Sequence, residues 1–189
     1  MKKLWGGRFT GQVNEQMNSF HSSVNFDKGL FRHDIKGSIA HVKMLGKQKI
    51  ISSGDAETIV SSLKAVLKDI ENGQLEIDGG AEDIHSFSEN ELISRIGETG
   101  KRMHTGRSRN DQVALDMRMY VMEEIGGIKA LIADLMKVLL DLAKEHVRTI
   151  MPGFTHMQKA QPITLAHHLL AYFQMFKRDC GRLDRKSVV

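Results

Sequence analysis

Three polar clusters in this 189-residue chain carry the residue types that acid–base chemistry or anion binding requires. The first is Glu82-Asp83-Ile84-His85-Ser86-Phe87-Ser88-Glu89, in which His85 and Glu89 stand one helical turn apart. That spacing suits an ion pair or two ligands of a metal. It suits equally well a surface pair at a helix start, and no second His-rich element of metal spacing accompanies it. The second cluster runs from Gly100 to Asp111 and holds Lys101, Arg102, Arg107 and Arg109. It ends in Ser108-Arg109-Asn110-Asp111, with Ser108 and Asp111 at capping-box spacing. A helix starting there would present free N–H groups and the positive end of its dipole. With two arginines and Gly106 beside it, such a start suits an anion, and guanidinium grips a carboxylate through two parallel bonds. A carboxylate or phosphate fits better than nucleic acid, for which the charge is modest. The third cluster, Met151 to Gln161 followed by Pro162, sets Thr155, His156, Gln158 and Gln161 on a segment stiffened by two prolines. Imidazole titrates near neutrality, so His156 can serve as acid or base; the alternative is a helix-connecting turn with a hydrogen-bonded histidine. His167 and His168 read as helix-face residues.

The elements that must position these clusters read as helices. From Asp34, apolar residues recur at Ile35, Ile39, Val42 and Leu45, one face of a helix. Ser52 and Asp55 mark the next start, Ile59, Leu63, Val66 and Ile70 form its stripe, and Asn72-Gly73 ends it. A third helix is expected from Ala81 to about Ile96, stopped by Gly97 and Gly100. Residues 1–33 show little periodicity and read as an irregular arm. Between Asp111 and Val147 the residues Val121, Ile125, Ile128, Ile132, Leu135, Leu139 and Leu142 alternate spacings of four and three, which is a bundle seam. A helix of that length measures about 55 Å. Gly126-Gly127 inside it predicts a kink or a close helix contact. The segment from Met151 to Pro162 reads as a loop. Thr164 can cap a last helix with Leu165, Leu169, Tyr172, Phe176 and Leu183 inward. Such a seam is too long for its own neighbours to cover, so other chains or further polypeptide must complete the bundle.

Composition agrees with a helical, globular protein. Hydrophobic residues are 41%, charged residues 26%, and the 27 Lys+Arg against 23 Asp+Glu give a net charge of +4. That excludes a disordered chain. The two prolines are confined to positions 152 and 162, and aromatics reach only 6%, both of which favour helix over sheet. The single cysteine, Cys180, forms no internal disulfide and reads as a buried thiol beside Tyr172, Phe173 and Phe176. Lys129, Asp134, Lys137 and Asp141 interrupt the most apolar stretch, so no membrane span is expected, and the basic start lacks the apolar run of a signal peptide. The expected compartment is the cytoplasm. The fold class is all-α: an N-terminal arm and small helical domain over residues 1–110, then the first long helices of a bundle over 111–189.

Four motifs occur in order: Trp5-Gly6-Gly7-Arg8-Phe9; Glu82-Asp83-Ile84-His85; His104-Thr105-Gly106-Arg107-Ser108-Arg109-Asn110-Asp111-Gln112-Val113; and Pro152-Gly153-Phe154-Thr155-His156-Met157-Gln158. Together they resemble argininosuccinate lyase, within the fumarase/aspartase superfamily, and the related eye-lens delta-crystallins. The block at 104–113 argues against adenylosuccinate lyase and fumarase. The resemblance implies cleavage of argininosuccinate to arginine and fumarate by elimination, with no metal and no organic cofactor. It implies that Thr155 and Asn110 hold the substrate, that Arg109 clamps a carboxylate and that His156 is the acid/base residue. Ser23 and Asp27 fall where relatives contact substrate, and His85 lies near the site.

Members of that family are more than twice this length. They carry, further on, a glycine- and serine-rich loop whose serine is the second catalytic residue, and this sequence has no counterpart. The pattern also drifts after Leu183. The expectation is therefore the N-terminal portion of the enzyme, inactive alone, with a structural, crystallin-like or inactive oligomerising chain as the alternative. In relatives each site draws on three subunits of a homotetramer. Nucleic acid and membrane are not expected partners.

Overall fold

The computed structural model describes residues 15–77 and 80–185; the Trp5–Phe9 motif lies outside them. The order is α1 (Glu15–His21), α2 (Val24–Asp27), a 3-10 turn (Lys28–Leu30), α3 (Phe31–Lys47), α4 (Ser53–Glu71), α5 (Ile84–Ile96), α6 (Glu98–Lys101) and a second 3-10 turn (Arg102–His104). Then come α7 (Arg109–Glu145), strands β1 (Ile150–Thr155) and β2 (Gln158–Thr164), and α8 (Leu165–Leu183). Helix makes up 74% of the structure, as the periodicity predicts. The chain divides into two compact units, residues 1–120 and 121–189, and α7 contributes residues to both.

The first unit is built on the predicted stripes. Ile35, Val42 and Leu45 of α3 pack with Ile59, Leu63 and Val66 of α4, Leu92 of α5 and Met103. Most of these are fully buried, and each such Leu or Ile contributes about 2 kcal/mol through its burial. Helices α3 and α4 approach closely at Gly46, where an added Cβ would come within 2.7 Å of the Ala56 Cβ. Helix α4 starts as expected: the Ser52 hydroxyl oxygen accepts from the Asp55 N–H at 3.0 Å. It ends at Gly73, whose φ of +69° needs no Cβ to be accommodated.

Three expectations change. Residues 15–33 form short helices rather than an irregular arm. Val24 and Leu30 are buried there against Ala81, Ile84 and Phe87, so tertiary burial holds helices too short to show a period. Helix α5 begins three residues later than expected, at Ile84, because the Asp83 carboxylate accepts from the Ser86 N–H at 2.6 Å and fixes the start. The segment 151–162 is an antiparallel hairpin and not a loop. Pro152 pairs with Pro162 across it, so both missing N–H groups fall on one rung.

In the second unit α7 continues as one helix through Gly126-Gly127, and a Cβ at either glycine would meet open space, so no close contact forms there among the described residues. The seam is only partly covered: Ile128, Leu135 and Leu142 remain 40–44% exposed. The Leu165 N–H donates to the Thr149 carbonyl at 2.8 Å and ties the hairpin base to α8. Thr164 caps α8 by accepting from the His167 N–H at 3.2 Å. Of the expected inward residues of α8, Tyr172 is exposed at 44%, and Cys180 is half-buried rather than buried. No helix among the described residues is long and apolar enough to cross a membrane.

Candidate active site

Ser23 and Asp27 meet the start of α5. The Ser23 backbone N–H donates to the Glu82 carbonyl at 2.8 Å, and the Asp27 carboxylate accepts from the Ile84 N–H at 3.1 Å. The Ser23 hydroxyl donates to the other Asp27 oxygen at 2.7 Å. A carboxylate at a helix N-terminus is favoured by the dipole and satisfies an N–H that would otherwise lack an intrahelical partner. Both side chains remain half-buried.

At the second residue of α5, His85 points inward. It is 2% exposed and does not pair with Glu89 at the surface. Its Nδ1 lies 2.9 Å from Asp34 Oδ1 and 3.4 Å from Asp116 Oδ2. The Gln112 side-chain amide also donates to Asp34 Oδ1. Asp34, Gln112 and Asp116 are fully buried. Burial raises the pKa of Asp34, but the His85 hydrogen bond and charge outweigh it and hold the carboxyl below its ordinary value. Burial lowers the pKa of His85, and the hydrogen bond and charge of Asp34 outweigh it in turn, so the imidazole is raised. Neither Asp116 oxygen has a hydrogen-bond partner among the described residues. Burial, and then the neighbouring Asp34 charge, push Asp116 up to about 7. Asp34 is therefore the ionised member of the pair, and Asp116 holds its proton through acidic pH. Helix α3 approaches α7 closely here: an added Cβ on Gly37 would meet Leu115 Cδ2 at 3.2 Å and Asp116 Oδ1 at 3.3 Å.

Asp34, His85 and Asp116 are also a trio whose ligand atoms lie within 4.8 Å of one another, the spacing a metal would need. The donors already present decide its character. His85 Nδ1 and the Gln112 amide both converge on Asp34 Oδ1, so the cluster is organised around the negative charge of Asp34.

The 104–113 block starts α7 as the capping spacing predicts. The Ser108 N–H donates to the Asp111 carboxylate at 3.0 Å, and the Asn110 N–H donates to the Ser108 hydroxyl at 3.2 Å. Two N–H groups offered to an anion are thus taken by the protein's own caps, and the guanidinium of Arg109 becomes the principal cation of the helix start. Arg109 Nη1 donates to Gln112 Oε1 at 2.8 Å, and Nη2 donates to Glu89 at 3.1 Å. Its side chain is 29% exposed. Asn110 is exposed beside it. Arg107 turns elsewhere: its Nη2 donates to the Ser38 hydroxyl at 3.2 Å, and burial lowers its pKa. Burial likewise lowers that of His104.

Thr155 and His156 belong to the second unit. Thr155 pairs with Gln158 across the hairpin, and His156 and Met157 form its two-residue turn. Both turn residues have positive φ, +48° and +60°, the geometry that normally selects Asn-Gly. His156 is exposed, as is Met157.

Sequence reasoning missed Asp34, Gln112 and Asp116. Asp34 opens an apolar stripe and, in the sequence, reads only as its beginning. Arg109, Gln112 and Asp116 recur at spacings of three and four, which places them on one face of α7; that polar stripe was the available signal.

A mostly helical chain with one small hairpin among the described residues is the architecture of a class of lyases, as comparison with known proteins shows. A family model described as Lyase matches residues 7–188, and the chain belongs to that family. It is 58% identical over 182 residues to an argininosuccinate lyase of Heliobacterium mobile, covering 96% of this chain and 40% of that protein. It is 56% identical over 182 residues to that of Moorella thermoacetica, covering 96% and 39%. The chain thus spans about 40% of the length of the curated relatives it matches. Among solved structures it is similar to a variant of EDDS lyase with bound fumarate (26% identity, TM-score 0.73, covering 92% of this chain and 35% of the other). The fold is shared with a fumarate lyase:delta crystallin from Brucella melitensis, at 16% identity and TM-score 0.72, covering 89% and 43%.

Proposed function

We propose that this chain is part of an argininosuccinate lyase and supplies its carboxylate clamp and one acid/base group. The carrying observation is Arg109: a partly exposed guanidinium at the start of α7, anchored by Glu89 and Gln112, in a chain 54–58% identical to argininosuccinate lyases. The reaction is an elimination. A base takes the proton beside a substrate carboxylate, the C–N bond to the guanidinium nitrogen breaks, and that nitrogen receives a proton as arginine leaves fumarate behind. Negative charge grows on the carboxylate, where preorganised cations and donors matter most. Arg109 holds a carboxylate, and Asn110 and Thr155 bind substrate. Ser23 and Asp27 contact it beside the start of α5, and His85 supports that wall. His156 moves the proton. Its positive φ supports the role, because strained backbone persists mainly where function requires it. The chemistry uses no metal and no organic cofactor. The protein acts in the cytoplasm in arginine formation and as a homotetramer, a reading supported by the partly exposed seam of α7.

The test joins residues 1–183 to the remaining portion of the Heliobacterium mobile enzyme and follows fumarate formation by ultraviolet absorbance. Turnover of argininosuccinate is expected. A folded chimera that makes no fumarate overturns the reading.

A further inference from the structure

We propose that Asp34 is a positioning residue for the Arg109 clamp and acts through the side-chain amide of Gln112. The inference rests on reading Arg109 as that clamp.

The argument is one of hydrogen-bond polarity. An ionised carboxylate only accepts, a guanidinium only donates, and a carboxamide has one end of each kind. Gln112 lies between the two: its Nε2 donates to Asp34 Oδ1 and its Oε1 accepts from Arg109 Nη1 at 2.8 Å. Turned over, the same amide would set its carbonyl against the carboxylate and its NH2 against the guanidinium, two repulsive contacts in place of two bonds. Gln112 is fully buried, so its amide does not turn out to bulk solvent. The charge on Asp34 therefore decides which end of Gln112 faces Arg109. His85 Nδ1, 2.9 Å from the same oxygen, steadies that charge from α5. Glu89 holds Arg109 Nη2 separately at 3.1 Å. With one N–H of each Nη engaged, three of the five guanidinium N–H groups remain for a bound carboxylate. Asp34 itself is fully buried, so it does not reach a bound carboxylate directly, and the hydrogen-bonded route from it to the clamp runs through the amide.

The experiment is NMR of the whole chain, labelled in arginine and glutamine side chains. It reads rotation about the Arg109 Cζ–Nε bond and hydrogen exchange of the Gln112 amide. In the wild-type chain Arg109 should rotate at least about tenfold more slowly than the exposed Arg178, and the Gln112 NH2 should be protected from exchange. Asp34→Asn, which offers Gln112 a donor as well as an acceptor, and Gln112→Met, which removes both ends, should each speed Arg109 rotation several-fold. Leu63→Ala, a core change outside the relay, should leave that rotation unaltered. Wild-type rotation as fast as that of Arg178, or an unprotected Gln112 amide, overturns the proposal without any variant. Folded Asp34→Asn and Gln112→Met chains that rotate as slowly as wild type overturn it too. None of these readouts requires substrate. If the relay is present while Arg109→Lys leaves turnover of the chimera unchanged, the clamp reading has failed and the relay has not.

Discussion

The two units handle their chemistry-bearing residues in opposite ways. In the first, Asp34, His85, Gln112 and Asp116 are buried together, with His85 and Gln112 both bonded to Asp34, and only Arg109 emerges partly from the group. In the second, His156 stands exposed on a two-residue turn with a backbone angle that favours glycine. One region sets a cation through hydrogen bonds from Gln112 and Glu89 behind it; the other keeps a histidine where the local backbone would choose something else. The difference teaches that a chemistry-bearing side chain can be set by buried partners or presented to solvent on a turn whose backbone angle is the unusual feature.

The comparison is most exposed to failure at His156. In the chimera, His156→Asn should lower kcat on the order of a thousandfold or more, because acid/base partners act together and losing one removes most of the rate. Its folding should be nearly unchanged, since the residue is exposed. A kcat within tenfold of wild type would leave the hairpin strain without a catalytic reason.

The buried network is tested next through its protons. A carboxyl whose pKa is raised on folding binds a proton that the unfolded chain releases, so stability falls as pH rises between the two values. For Asp116 that window runs from 3.8 to about 7. Asp116→Asn keeps the neutral form at every pH. The variant should therefore exceed wild type in stability at pH 8 by on the order of 4 kcal/mol, with the advantage vanishing near pH 4. Urea unfolding across pH reads both limbs. His85, whose pKa is also raised, adds a decline of the same sign that survives in the variant. A variant less stable than wild type at pH 8 would show that Asp116 is ionised and paired.

Arg109→Lys comes third. Lysine keeps the charge and loses the planar fork, so substrate KM in the chimera should rise about tenfold to a hundredfold, roughly 2 kcal/mol. Lys101, an exposed partner of Glu98, can be changed to Ala as a control with little effect.

Much of this was legible because it is local. The stripes of α3 and α4, the caps at Ser52, Ser108 and Thr164, and the stop at Gly73 each rest on residues within a turn or two. The network was not legible, because Asp34 meets His85 across 51 residues and Gln112 across 78. Spacing along the chain says nothing of such meetings. Local reading misled where a local partner was at hand: Glu89 sits one turn from His85, yet it bonds Arg109, twenty residues on. The hairpin at 150–164 was hidden for a related reason. Its turn, His156-Met157, lacks the glycine or asparagine that announces a two-residue turn, so two prolines and a glycine read as a loop.

The smallest effect separates strain that does work from strain that does not. Lys49 has a φ of +59° at the end of α3, where the Ile50 N–H donates to the Leu45 carbonyl at 2.9 Å and the Lys49 N–H to the Gly46 carbonyl at 3.0 Å. That pattern is the helix-ending motif in which glycine is usual, and α4 ends with glycine in the corresponding place, at Gly73. A non-glycine residue in the left-handed region costs about 1–2 kcal/mol, and glycine gives back about 0.5–1 kcal/mol through its freer unfolded state. Lys49→Gly should therefore stabilise the chain by about 0.5–1 kcal/mol, read as a higher urea midpoint at unchanged slope. In the chimera it should leave turnover untouched. His156→Gly relieves the same kind of strain and should raise stability by a similar amount, while removing fumarate formation as fully as His156→Asn. If His156→Gly instead destabilises, the hairpin turn is held by contacts of the imidazole, and its positive φ is no sign of function.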